Sequence, residues 1–320
     1  AARADAPPRT SEPAPEPAAD EGAADASDGG AEAPDAAVDP ARVAEARSRP
    51  SPPVEFFLTS QNASVMWAEL ARLRVAAGDQ VAAAAERSLR EWHAELGGFL
   101  EHEALAPEGV ARFVIASRGW TDRWVATLVY ADPRADRLAA HYPADGDTSL
   151  ADGRSVRVFR LGPELGAVQL SPTRVVVGTH QDLREALARP PQPTSAELGA
   201  PGRLFSWSLA EARRFLSTRP RRANPNDLRM DLVLEADGAY AVDATGVFES
   251  PERAAEAQTH WRQLLAQLGD NAFLRALRLD TAFRHASVGR PRPEVLAIGL
   301  RLDAGQLASL AQLFASTTAL

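Results

Sequence analysis

The sequence predicts an α+β fold of two duplicated ββαββα units, a mostly antiparallel sheet with helices packed on one face, behind a disordered N-terminal tail. Three observations carry this expectation. Composition changes abruptly near residue 50, a strand–Asp/Ser-Pro step occurs twice at an offset of 118 residues, and each helix-like stretch is apolar on one side only.

Residues 1–50 hold 17 Ala, 8 Pro, 11 acidic residues and 5 Arg, with no aromatic residue and no Leu, Ile or Met. Such a segment buries too little apolar surface to offset the entropy of ordering it, so it reads as a disordered Ala/Pro/acidic linker. It also carries most of the acidity. The whole chain has a formal net charge of -8, whereas the remainder holds 30 Arg against 32 acids. An Ala-Ala start ahead of such a linker is what signal-peptide cleavage leaves before an exported domain. The expected location is extracytoplasmic: periplasm, cell envelope or secreted. A piece of a longer chain is the alternative.

Residues 51–107 read as a helical lead-in. Between 81 and 103, Ala85, Leu89, Trp92, Leu96 and Phe99 recur at spacings of four, three, four and three, a single helical stripe. The first unit, 108–189, opens with strand-like runs at 111–117 and 123–130 around a short turn. It continues with Asp132-Pro133, an N-cap with proline at the first helical position. A strand over 174–178 then leads to Thr179-His-Gln-Asp182, a capping-box pattern. Residues 190–202, with four prolines, form the natural hinge.

The second unit, 203–320, repeats the plan. A capping box at Ser208-Leu-Ala-Glu211 starts its first helix. Runs at 228–235 and 239–248 flank Ala236-Asp-Gly238, a strong hairpin signal. Ser250-Pro251 begins a helix with Ala254, Ala257, Trp261 and Leu265 on one face, and Asp303-Ala-Gly-Gln306 caps the last helix. In this layout the chain resembles exported bacterial proteins in which α+β units are duplicated behind an Ala/Pro-rich linker. The resemblance lies in the strand–Asp/Ser-Pro–helix step, in Val175-Val-Val-Gly178 and in its capped helix. It implies location and build, not activity.

Composition excludes several chemistries. There is no Cys, hence no disulfide framework, thiolate metal site or cysteine nucleophile. All 35 basic residues are Arg, which removes the Walker lysine, Schiff-base chemistry and Ser-x-x-Lys acylation. A pI near 5.4 argues against nucleic acid, and no apolar run reaches the ~20 residues of a membrane span. The six histidines form no His-Glu-x-x-His pair and read as surface residues. Asp145-Gly-Asp147 lacks the later Gly and Glu of a calcium loop, and no Gly-x-Ser-x-Gly elbow occurs. We therefore expect no catalytic set, no metal and no cofactor. The candidate partner contacts are Trp120 at a hairpin tip and the cluster Arg213, Arg214, Arg219, Arg221 and Arg222. The expected function is a non-enzymatic exported or cell-envelope protein, a tethered binding or scaffold domain whose partner is another protein or an envelope component. The alternatives are a hydrolase with an Asp/Glu/His site between the units, or an apolar-ligand carrier.

Overall fold

The β-branched and aromatic runs of the sequence become strands. The computed structural model describes residues 41, 44, 54–60, 64–91, 94–102, 109–118, 123–193, 200–215 and 223–317. The strands are β1 (Glu55–Phe56), β2 (Ser64–Ala68), β3 (Val110–Ser117), β4 (Trp124–Tyr130), β5 (Ala144–Ser149), β6 (Ser155–Arg160) and β7 (Leu165–Ser171). They continue with β8 (Arg174–Thr179), β9 (Gln192–Pro193), β10 (Arg203–Leu209), β11 (Asp227–Leu234), β12 (Tyr240–Val247), β13 (Ser287–Arg292) and β14 (Val295–Leu302). The helices are α1 (Leu70–Ala77), α2 (Asp79–Glu91), α3 (Ala94–His102), α4 (His180–Leu187), α5 (Ala212–Phe215), α6 (Pro251–Gly269), α7 (Ala272–Ala276), α8 (Asp280–Arg284) and α9 (Ala304–Thr317). Of the N-terminal linker only Ala41 and Ala44 are described, both helical and exposed.

Twelve strands form one sheet in the order β13-β14-β12-β11-β10-β2-β3-β4-β8-β7-β6-β5, while β1 pairs with β9. All the pairings are antiparallel. The two halves therefore share a single sheet. Outward from the central β2–β10 pair the order is β3-β4-β8-β7 on one side and β11-β12-β14-β13 on the other. The central register is itself symmetric about Met66 opposite Trp207, with Ser64 opposite Leu209 and Ala68 opposite Phe205.

Several local expectations need correction. No helix follows Asp132-Pro133; residues 131–142 hold bends and, over 135–141, turns. Asp132 does not cap a helix because arginines occupy it: Arg134 Nε lies 2.7 Å from its carboxylate, and Arg137 donates to both its side chain and its carbonyl. Arg137 itself is buried, its guanidinium 3.7 Å from the centre of the Tyr130 ring. The first half instead gains the β5–β6 hairpin, so it is not a ββαββα unit. Ser208 lies within β10 and caps nothing. The 51–107 lead-in contributes the central strand β2, and the Pro-rich 190–202 segment holds β9. Two helices, α2 and α3, occupy the described part of the span read as one helix.

The other caps stand. Ser250 Oγ accepts from Arg253 N with Pro251 at the first turn, and Thr179 Oγ1 accepts from Asp182 N. Asp303 and Gln306 exchange side-chain-to-backbone hydrogen bonds at 3.0 and 2.7 Å, a reciprocal capping box.

Alternation in the strands assigns the layers. Phe113, Ile115, Ala126, Leu128, Val175 and Val177 pack with Leu96, Phe99 and Leu100 of α3. Their neighbours Val125 and Val176 point the other way and pack with Leu183, Ala186 and Leu187 of α4. In the second half, Tyr240 and Leu302 pack with residues of α1, α2, α7, α8 and α9, and Leu296 packs with Ala254 and Ala257 of α6. These positions lie on the α3 side by register. Helices α1 to α3 and α6 to α9 thus share one face, as expected, whereas α4 closes the opposite face of the first half.

Candidate functional site

The different fates of α4 and α9 follow from chain length. Gly178 and Gly299 occupy matching positions, opposite Val125 of β4 and Asp243 of β12 respectively. The N-cap follows one residue after Gly178, at Thr179, but four residues after Gly299, at Asp303. Three extra residues reverse strand parity, so the two helices leave toward opposite faces.

A transverse row of side chains records the consequence. In the first half the row Val65–Ala116–Val125–Gly178–Gly166 runs across β2, β3, β4, β8 and β7. A Cβ on Gly166 would stand 3.0 Å from His180 Nδ1 and 3.3 Å from a Leu183 methyl, so glycine there lets α4 seat closely. In the second half the matching row is Ser206–Asp231–Asp243–Gly299–Ser287, across β10, β11, β12, β14 and β13. Asp243, Val247, Ser287 and Arg301 are exposed on this face.

Two carboxylates face each other in that row, an arrangement that is destabilising between adjacent strands. Asp231 is compensated: Arg229 Nε donates to it at 2.9 Å, and Arg203 Nε stands 3.5 Å away. Among the described residues no arginine comes within ion-pair distance of Asp243. Its carboxyl is pushed above the usual aspartate range, first by partial desolvation against the sheet, then by repulsion from Asp231 and Glu235, with Arg203 opposing. Arg301, which could reach across, is held by Glu235 at 2.7 Å and by Asp237.

The residues singled out in the sequence fall elsewhere. Trp120, Arg219, Arg221 and Arg222 lie outside the described residues. Arg213 donates to Glu249 at 2.6 Å, and Arg214 pairs with Glu211 at 2.5 Å, so two of the cluster's guanidinium groups are engaged within the chain. The Asp145–Asp152 segment holds arginines: Asp145 pairs with Arg160, Asp147 with Arg157 and Asp152 with Arg154. His180 Nδ1 also stands 3.4 Å from Asp145.

Two features escaped sequence reasoning. One is the Asp231–Asp243 juxtaposition, visible only once the β11–β12 register is known. The other is a pair of histidines 39 residues apart in the chain, His102 and His141, whose ring centroids are 4.3 Å apart at 84°. They border an open cavity of about 560 Å³ floored by Phe99, Tyr142, Leu161 and Pro163. A second cavity, of about 140 Å³, lies between Arg262, Phe283, Arg284 and Val288. Among the described residues, neither is lined by a carboxylate. Among the described residues no group of three or more His, Asp or Glu could hold a metal, and no helix is long and apolar enough to cross a membrane.

No family model matches the chain, and no curated protein matches it. Solved structures of TP0453 resemble it in overall arrangement. Crystal form III aligns at a TM-score of 0.47 and 11% identity, covering 81% of this chain and 96% of that one. Crystal form I aligns at 0.42 and 10% identity over 87% and 98%, and form IV at 0.43 and 11% over 78% and 92%.

Proposed function

We propose that the protein is a non-enzymatic, tethered binding or scaffold domain of duplicated design, working outside the cytoplasm, whose partner docks on the open sheet face of β11, β12 and β14. The observation that carries this reading is the uncompensated Asp243 at the centre of that face. Its position favours a partner segment that brings a positive charge to Asp243 and small or polar side chains to the strip around Gly299. The matching face of the first half is already occupied by α4, so a helix is the occupant whose shape fits. The composition of residues 1–50 supports a tether, and the extracytoplasmic location rests on that linker and on the layout.

The reading is tested by placing a photo-crosslinking residue at Thr245 or Ser287 on the open face, and at Glu256 on α6 as a control. Crosslinks to a partner from the face positions alone, lost on Asp243→Arg, are the expected result. Equal crosslinking from Glu256, or capture unchanged by Asp243→Arg, would overturn it. Reporter fusions to the natural gene product test the location separately. The cavity beside Phe99 and Tyr142 favours a second reading, carriage of a small apolar ligand there.

A further inference from the structure

We propose that His102 and His141 form a two-histidine site for a divalent late transition-metal ion at the mouth of the Phe99–Tyr142 cavity. His102 is the last residue of α3 and His141 belongs to the turn after β4, so the fold alone brings them together. Both are exposed, and an incoming ion meets no barrier of packed side chains.

The spacing suits shared coordination. Two imidazoles bound side by side to one ion at ~2.0–2.1 Å per nitrogen place their ring centroids roughly 4.5–5.2 Å apart. The observed separation is 4.3 Å, so the rings need to open by less than about 1 Å, which exposed side chains accommodate by rotation. The 84° between the planes is no obstacle, since each ring turns freely about its metal bond.

The surroundings favour a cation. His102 stands at the C-terminus of α3, where the last carbonyls carry partial negative charge. The other described cavity-lining residues include no arginine, in a chain where arginine is the sole basic residue apart from histidine. With no Cys anywhere, the donors are imidazole nitrogens, which suit Zn²⁺, Ni²⁺ and Cu²⁺ rather than thiolate-seeking or hard oxygen-seeking ions. No third His, Asp or Glu of the described residues completes the site. Water or an external ligand would fill the remaining positions, which makes it an exchangeable site and not a structural one.

The test is calorimetric titration of the untagged full chain with Zn²⁺ and, separately, Ni²⁺ at neutral pH. The expected result is one saturable ion per chain, with affinity reduced at least tenfold by His102→Ala or His141→Ala and abolished by the double change. His285→Ala, at an exposed histidine elsewhere, should leave it unaltered. His102→Gln and His141→Gln guard against a folding artefact. Metal should raise the thermal midpoint of the wild type, by tying α3 to the 135–141 turn, while leaving both glutamine variants where they were. Absence of saturable binding, or equal affinity in the double variant, would overturn the proposal.

Discussion

Replacing Asp243 by Asn should stabilise the protein while weakening partner capture. Like charges directly opposite in adjacent strands cost about 0.2–1 kcal/mol. Here Asp231 shares its charge with Arg229 and Arg203, and Asp243 is exposed, so the gain from Asn lies near the middle of that range, about 0.5 kcal/mol. For a unit of this size that is a rise of ~1–2 °C in the thermal midpoint. The pH dependence has a definite sign. A carboxyl whose pKa is raised on folding favours the folded state while protonated, and that advantage is lost as pH climbs from the usual value of 3.8 through the elevated one. Wild type and variant should therefore coincide in acid and separate above that window, with the variant the more stable at neutral pH. Urea unfolding at a series of pH values measures the separation, and crosslinking from Thr245 measures capture. If Asn lowers stability at neutral pH, or the two proteins coincide at every pH, the carboxylate is satisfied within the fold and the argument for a docking face fails.

Asp182→Ala should cost about 2–3 kcal/mol, because it leaves Arg123 without its buried partner and Thr179 Oγ1 without its acceptor; Asp182→Asn, which can keep the threonine contact, should cost less in the same unfolding assay. The matching glycines should differ. Gly178→Ala sets a Cβ 2.7 Å from the Trp124 carbonyl oxygen, backbone that cannot step aside, for about 2 kcal/mol of destabilisation. Gly299→Ala meets only the Ser287 hydroxyl at 2.7 Å and the Asp243 carboxylate at 3.3 Å, both able to rotate, and should cost under about 1 kcal/mol. Tyr240, whose hydroxyl donates to the Ala76 carbonyl, has its pKa raised from 10.0 to about 12 by burial. Its contribution is intact below pH 10 and lost between 10 and 12, so alkaline unfolding curves of wild type and Tyr240→Phe should converge across that interval.

The parts of the fold legible in the sequence are those whose cause is local. The hairpins β3–β4 and β11–β12 follow from β-rich runs around short turns, and the helix starts at Thr179, Ser250 and Asp303 follow from side chains that satisfy free backbone N–H groups. Asp132-Pro133 carries an equally good local signal, yet forms no helix, because Arg134 and Arg137 take the carboxylate and the Tyr130 ring draws Arg137 inward. β5 has almost no strand propensity in Ala-Asp-Gly-Asp-Thr-Ser; pairing with β6 creates it, with an irregular register between Ala144 and Asp147. The central strands β2 and β10 carry strand formers such as Val65, Trp67, Phe205 and Trp207, but their pairing with each other is set by the tertiary fold. Neither the aspartate pair nor the histidine pair could have been found from spacing, as both depend on contacts set by tertiary register.

What the sequence does contain is the cause of the asymmetry, in three residues. Gly178 runs directly into its cap, whereas Gly299 is followed by Leu300, Arg301 and Leu302 before Asp303. Had the second half kept the shorter connection, α9 would emerge toward the face that carries Asp243, and a buried aspartate opposite another would have been selected against on stability alone. With the longer one, α9 joins α1 and α2 on the crowded side, where Leu307 and Leu302 are buried together. The open face then keeps Asp243 opposite Asp231, which holds Arg229 and Arg203, while no arginine of the described residues pairs with Asp243. Asp243 opposes stability and is exposed where the counterpart half is sealed by a helix, and it is on this residue that the proposed docking face stands or falls.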